Sequence, residues 1–221
     1  MFWRRQDPTF ENLPADHGVY KNMKKTTLVA FVSVAAALIA ITACFSDMSS
    51  KNEGVAVGKT VENIRLSDTS GAERSLDDLK GKNGAILVFV SSQCPVVKLY
   101  NERISQFAAD FAAKGVNVIG INSNSSEDLE SVRSHATEHY KFPVLIDKGN
   151  VLADKLGANV TPETFYLNEK NEVVYHGAID NSRTGYGISE NYLRDAVEAN
   201  TSGKPVAKKS VNAFGCSIKR V

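Results

Sequence analysis

The clearest pattern along the chain is a run of six apolar residues, Ala85-Ile86-Leu87-Val88-Phe89-Val90. A continuous run of that length predicts a strand buried on both faces. Over residues 95–113 the period changes. Val96, Leu99, Tyr100, Ile104, Phe107, Ala108 and Phe111 recur at helical steps as one stripe, and Gly115 closes the helix. Residues 116–121 form the next apolar strand. Upstream, residues 61–66 and 73–75 flank the turn signal at 68–71, which predicts a hairpin, and Ser75 ahead of Asp77 and Asp78 predicts a short capped helical turn. Downstream, Ser125 and Asp128 form a capping box for a helix over 127–140. A short strand is expected over 142–146 and a short helix over 151–156, stopped by Gly157. Residues 164–167 and 173–176, joined through 168–171, read as a second hairpin, and 190–200 as a terminal helix. Residues 205–221 read as an extended polar tail that could fold back. Strands alternating with helices predict an α/β fold. Its central sheet is mixed and partly parallel, flanked by helices on both faces, with a β-hairpin at its N-terminal side.

The first fifth of the chain follows a different pattern. Lys24 and Lys25 precede a stretch of 14 largely apolar residues, 28–41, and small Thr42 and Ala43 stand before Cys44. That layout is a secretory signal, too short for a comfortable transmembrane helix. The expected organisation is a misassigned start or disordered leader over 1–22 and a signal over 23–43. A polar linker over 44–54 and a domain over 55–203 follow, with a C-terminal tail over 204–221. The ending Ile41-Thr42-Ala43-Cys44 resembles the lipobox of bacterial lipoproteins. That resemblance implies a lipid on Cys44 and a membrane-tethered domain in the cell envelope, outside the cytoplasm and facing the periplasm if there is one. An uncleaved anchor, or a cut elsewhere, is the other reading.

Composition adds bounds. The chain has 221 residues, 43% hydrophobic and 23% charged, which suits one globular domain and excludes a disordered or collagen-like chain. The formal charge is +1; losing residues 1–43 removes five Lys/Arg and three Asp/Glu and leaves −1. No basic excess points to nucleic acid. Three cysteines are too few for a disulfide-dense scaffold. With Cys44 on lipid, Cys94 and Cys216 remain for chemistry.

Cys94 sits where the buried strand passes into the long helix, and Pro95 follows at the first helical position. A sulfur there meets unpaired backbone N–H groups and the positive end of the helix, so thiolate is favoured. Lys98, one turn along, adds positive charge. His135 and His139 are four apart on one helix face, but two histidines alone make a weak metal signal, and a solvated face is the simpler reading. No metal or other cofactor is expected. His176 reads as structural, and Asp147 and Asp180 as caps or turn formers.

The strand ILVFV, then SSQCP, then a long helix is similar to the thioredoxin superfamily. Val160-Thr161-Pro162, with its proline 68 residues after Cys94, matches that superfamily's cis-proline loop. The resemblance implies that Thr161 and Pro162 face the active cysteine and, with Pro95, shape the substrate groove. Within the superfamily, GVNVIGINSN, FPVLIDKGNVLADKLGANVTPETFYLN and VVYHGAID resemble the peroxiredoxin-like redoxins, the alkyl hydroperoxide reductase and thiol-specific antioxidant group. The chain departs from both patterns. Val97 stands where thioredoxins carry a second cysteine, and Leu87 where peroxiredoxins carry a proline; Ser91 matches the peroxiredoxin hydroxyl position. Arg183 is the one candidate for the family's arginine, with an exposed loop residue as the plainer reading.

The resemblance implies thiol redox chemistry. Cys94 attacks a hydroperoxide or a disulfide, Ser91 hydrogen-bonds the sulfur or the incoming oxygen, and an external thiol restores the reduced state. Cys216 is the candidate resolving thiol; a permanent disulfide and an intermolecular pair are the alternatives. Peroxide reduction leads, with exchange on protein disulfides and a non-catalytic adaptor as rivals.

Overall fold

The computed structural model describes residues 57–221. The expectations for the leader, the signal, Cys44 and the linker lie outside the described residues.

Strands β1 (Arg65–Asp68) and β2 (Glu73–Ser75) pair antiparallel, and a single turn, α1 (Leu76–Leu79), follows. Ser75 caps that turn by accepting the Asp78 N–H. The sequence then alternates: β3 (Ala85–Val90), α2 (Pro95–Ala112), β4 (Asn117–Asn122), α3 (Leu129–His139), β5 (Val144–Ile146) and α4 (Val151–Leu156). Next come β6 (Val160–Thr161), β7 (Glu163–Leu167), β8 (Val173–Gly177), α5 (Tyr192–Thr201), β9 (Ser210–Val211) and β10 (Cys216–Ser217). Eight strands form one mixed sheet in the order β2-β1-β5-β4-β3-β7-β8-β9, and β10 and β6 make a separate small ladder. The β3–β4 and β4–β5 pairs are parallel, and β7 runs antiparallel to β3 and β8. This is the expected thioredoxin-like α/β sandwich with a hairpin at its N-terminal side.

Period two along β3 divides the core. Ile86, Val88 and Val90 face α2, where Tyr100, Ile104, Phe107 and Phe111 form the buried stripe. Ala85, Leu87 and Phe89 face the other layer, against Leu76, Leu152, Leu156 and Phe165. Burying one such side chain contributes about 1.5–3 kcal/mol, so either face fixes the register of β3. At the far end of α2, Gly115 turns the chain at φ 73°, a left-handed conformation that favours glycine.

Two expectations are corrected. Helix α3 starts at Leu129, capped by Asp128 through the Ser131 N–H, and Ser125 is no part of the cap. Ser125 instead donates its N–H to the Lys219 carbonyl and its hydroxyl to the Arg220 carbonyl. The C-terminal residues are not a loose extension: β9 pairs parallel with β8, and β10 pairs antiparallel with β6. Their basic side chains are partly ion-paired, Lys208 with Glu190 and Arg220 with Asp154.

Candidate active site

Cys94 is the N-cap of α2. Its φ of −78° and ψ of 116° are extended, and Pro95 occupies the first helical position where no N–H is needed. The Sγ lies 3.5 Å from the Val97 nitrogen, whose N–H it accepts, and 3.2 Å from the Thr161 carbonyl oxygen. The Thr161–Pro162 peptide bond that follows this carbonyl is cis.

Cys216 arrives at the same place from the C-terminal end. In the β10–β6 ladder it stands opposite Thr161, and Ser217 stands opposite Val160. The Thr161 hydroxyl donates to the Cys216 carbonyl at 3.5 Å. Gly215 makes this approach possible: a Cβ there would sit 1.9 Å from the Thr161 carbonyl oxygen. The fold therefore brings together two thiols that are 122 positions apart in the sequence, and both are free.

The pair is electrostatically unequal. Burial pushes the Cys94 thiol up, but hydrogen bonds from the Cys216 thiol, the Thr161 side chain and the Val97 and Cys216 N–H groups outweigh it, and the net shift is downward. Burial also raises Cys216, and its hydrogen bond to Cys94 and the charge on Cys94 add to the rise. Cys94 is therefore the more readily ionised thiol of the pair.

Ser91 is placed differently from the expectation. It is buried in the loop before Cys94, but its hydroxyl donates to Glu127 Oε1 rather than to sulfur. Glu127 was missed in the sequence, where it reads as the start of a helix. It accepts from the Ser92 N–H at 2.9 Å, the Ser92 hydroxyl at 2.8 Å and Asn122 Nδ2 at 2.8 Å. One carboxylate thus ties the Cys94 loop to the end of β4. Glu163 does the same behind the cis-proline: Oε2 accepts the Asn159 and Val160 N–H groups, and Oε1 meets His176 Nε2 at 2.5 Å. His176 is structural, stacked on Phe165.

Other candidates fall away from the sulfur. The Arg183 guanidinium lies over the Phe214 ring, 5.5 Å from its centroid. Asp180 accepts from the Tyr100 hydroxyl at 2.7 Å and from Arg103 at 2.6 Å, a buried anchor for α2. Asp147 accepts the Leu152 and Ala153 N–H groups at the start of α4. His135 Nε2 meets Asn101 Nδ2 at 3.0 Å, and burial, with the charge of His139, holds its pKa down. Among the described residues no group of three or more His, Cys, Asp or Glu is placed to hold a metal ion.

The AhpC/TSA family model matches residues 57–176. A thiol-disulfide oxidoreductase, ResA, of Halalkalibacterium halodurans is 28% identical over 174 residues, 79% of this chain and 92% of that protein. The crystal structure of a hypothetical protein, SMc02350, from Sinorhizobium meliloti 1021 superposes with a TM-score of 0.70 at 33% identity, covering 76% of this chain and 97% of that one. That of a conserved protein from Geobacillus kaustophilus gives 0.71 at 30% identity, covering 76% and 94%.

Proposed function

The chain belongs to the AhpC/TSA family, and on that premise we propose that it is a thiol–disulfide oxidoreductase whose working couple is Cys94 and Cys216. The observation that carries this reading is the β10–β6 register, which sets Cys216 opposite Thr161 while Cys94 Sγ lies on the same Thr161 carbonyl. In the reduced chain both sulfurs are free, and Cys94 is the more readily ionised of the two thiols. Closing the disulfide gives two electrons to a partner disulfide, and both partner sulfurs leave as thiols. Thr161, Pro162 and Pro95 shape the site; Glu127 and Glu163 hold its two loops.

Disulfide exchange is preferred to peroxide reduction, the leading expectation from sequence. The Ser91 hydroxyl is committed to Glu127, Leu87 fills the place of the family's proline, and among the described residues no arginine hydrogen-bonds Cys94. The name of the Halalkalibacterium relative points the same way. The test is a comparison of oxidants on the reduced chain carrying Cys44→Ser. Oxidised glutathione is expected to close the Cys94–Cys216 bond, with closure lost in both Cys94→Ala and Cys216→Ala. Hydrogen peroxide is expected to act no faster than on an ordinary thiol. Rapid oxidation of Cys94 by peroxide, with slow reaction with the disulfide, would reverse the assignment.

The same proposal places the domain outside the cytoplasm on a lipid carried by Cys44. Lys24-Lys25, the apolar stretch 28–41 and Ile41-Thr42-Ala43-Cys44 support it. Two acyl chains hold a protein firmly on a bilayer. Partition into detergent is expected for the native chain, and its persistence in Cys44→Ser would count against lipidation.

A further inference from the structure

The strand pairing that brings the thiols together also sets which of them meets a partner. Cys94 is 2% exposed, whereas Cys216 is half-buried. The segment 214–221 runs beside the Thr161 carbonyl that Cys94 Sγ meets, and it is held along its length. The Phe214 ring packs 6.4 Å from the Tyr100 ring with Arg183 over it. The Ile218 N–H donates to the Asn159 carbonyl at 2.9 Å and its side chain is buried. The Lys219 N–H donates to Asn124 Oδ1, and the Val221 N–H to Asn150 Oδ1. The chain's own backbone therefore fills the edge of β6 beside the sulfurs. The cleft of about 630 Å³ beside Ser92 and Gln93 and that of about 570 Å³ beside Glu127 are lined by neither cysteine.

We infer that partners exchange at Cys216 Sγ while Cys94 stays internal, and that the external reductant is a low-molecular-weight thiol rather than an extended polypeptide. This inference rests on the dithiol reading above. A small thiolate attacks Cys216 Sγ; the Cys94–Cys216 bond breaks and its electron pair passes to Cys94 Sγ, which leaves as thiolate. A second small thiolate attacks the outer sulfur of the mixed disulfide. Cys216 then leaves and takes a proton, and the products are the protein dithiol and the small disulfide. The direction of cleavage agrees with the leaving-group rule: a disulfide breaks faster toward the better stabilised thiolate, and the Thr161 side chain and the Val97 and Cys216 N–H groups still serve Cys94 when Cys216 carries the small thiol. A polypeptide would need the β6 edge that residues 216–217 already occupy.

The test uses the full chain with Cys44→Ser, oxidised to the Cys94–Cys216 disulfide. It is exposed briefly to 2-mercaptoethanesulfonate, quenched in acid, alkylated and mapped by peptide mass. The expected result is the probe on Cys216 and the alkyl group on Cys94, in at least about tenfold excess over the reverse. In urea, where the strap is gone, the preference is expected to fall to within about threefold. A probe on Cys94, an even split in the native chain, or an unchanged preference in urea would overturn the inference. Absence of the starting disulfide would instead overturn the dithiol reading itself, so the two failures are distinct.

Discussion

At the residue scale the account turns on one sulfur held below its usual pKa and a second held above it. Burial works against the Cys94 thiolate, and hydrogen bonds from Cys216, Thr161 and Val97 overcome it. Linkage fixes the signs. The lowered Cys94 contributes stability that is present above its unfolded value, about 8.5, and is lost as pH falls through its folded value. The raised Cys216 contributes stability that is present below that value and is lost as pH rises through its folded value. The reduced chain should therefore gain over Cys94→Ala as pH rises toward about 8.5 and lose part of the gain beyond it. Urea titrations of both chains across that range read this, and a flat difference would contradict it. Glu127 gives a second prediction. Glu127→Ala removes the acceptor of Ser91, Ser92 and Asn122. It should cost about 2–3 kcal/mol and change the pH profile of Cys94 alkylation, whereas Glu127→Gln should recover part of both. The Cys94-Pro95 signal was legible in the sequence because strand, cysteine, proline and helix are contiguous. Glu127 was not, since its partner Ser91 lies 36 residues away and nothing local marks the contact.

At the scale of elements, α2 is the lever that aims Cys94. Its stripe packs on β3 and β7, and its second turn is anchored by Tyr100 and Arg103 on Asp180. Asp180 is 1% exposed, and its N–H partners include Ser182 in the loop that carries Arg183. Asp180→Ala would take the carboxylate from the half-buried Arg103 guanidinium and the buried Tyr100 hydroxyl and leave both with the Ser182 carbonyl, at a cost of about 3 kcal/mol. It should also loosen the Tyr100–Phe214–Arg183 stack and speed alkylation of Cys94. Thermal melts and alkylation kinetics on one variant check both; a drop in stability with unchanged Cys94 kinetics would separate the anchor from the strap. The long elements were legible because periods of two and 3.6 repeat several times along them. β9 and β10 have two residues each, too few for any period. The register of β10 is set by Gly215, Phe214 and Ile218 docking on distant residues, and that of β9 by its close approach to Gly177, so the sequence showed a cysteine-bearing tail and not a strand. The helix start at 129 moved for a similar reason: Ser125 is drawn away to the C-terminal carbonyls.

At the scale of the whole molecule, the strap closes a loop of 122 residues between the cysteines. A cross-link over such a span contributes about 5 kcal/mol at the entropic limit. The oxidised chain should unfold at distinctly higher denaturant than the reduced one, and equal midpoints would mean that the bond strains the fold as much as it restrains the unfolded chain. The α/β architecture was readable because strands and helices alternate. The coupling of the two ends was readable only as the arithmetic of three cysteines, one of them at a lipobox-like site. The most direct measurement is disulfide mapping of the full chain with Cys44→Ser after mild oxidation by oxidised glutathione. The account predicts a monomer in which the Cys94 and Cys216 peptides are joined and both are released by reduction. Cys94 recovered as a sulfenic or sulfinic acid beside an alkylated Cys216, or a dimer joined through Cys216, would contradict it.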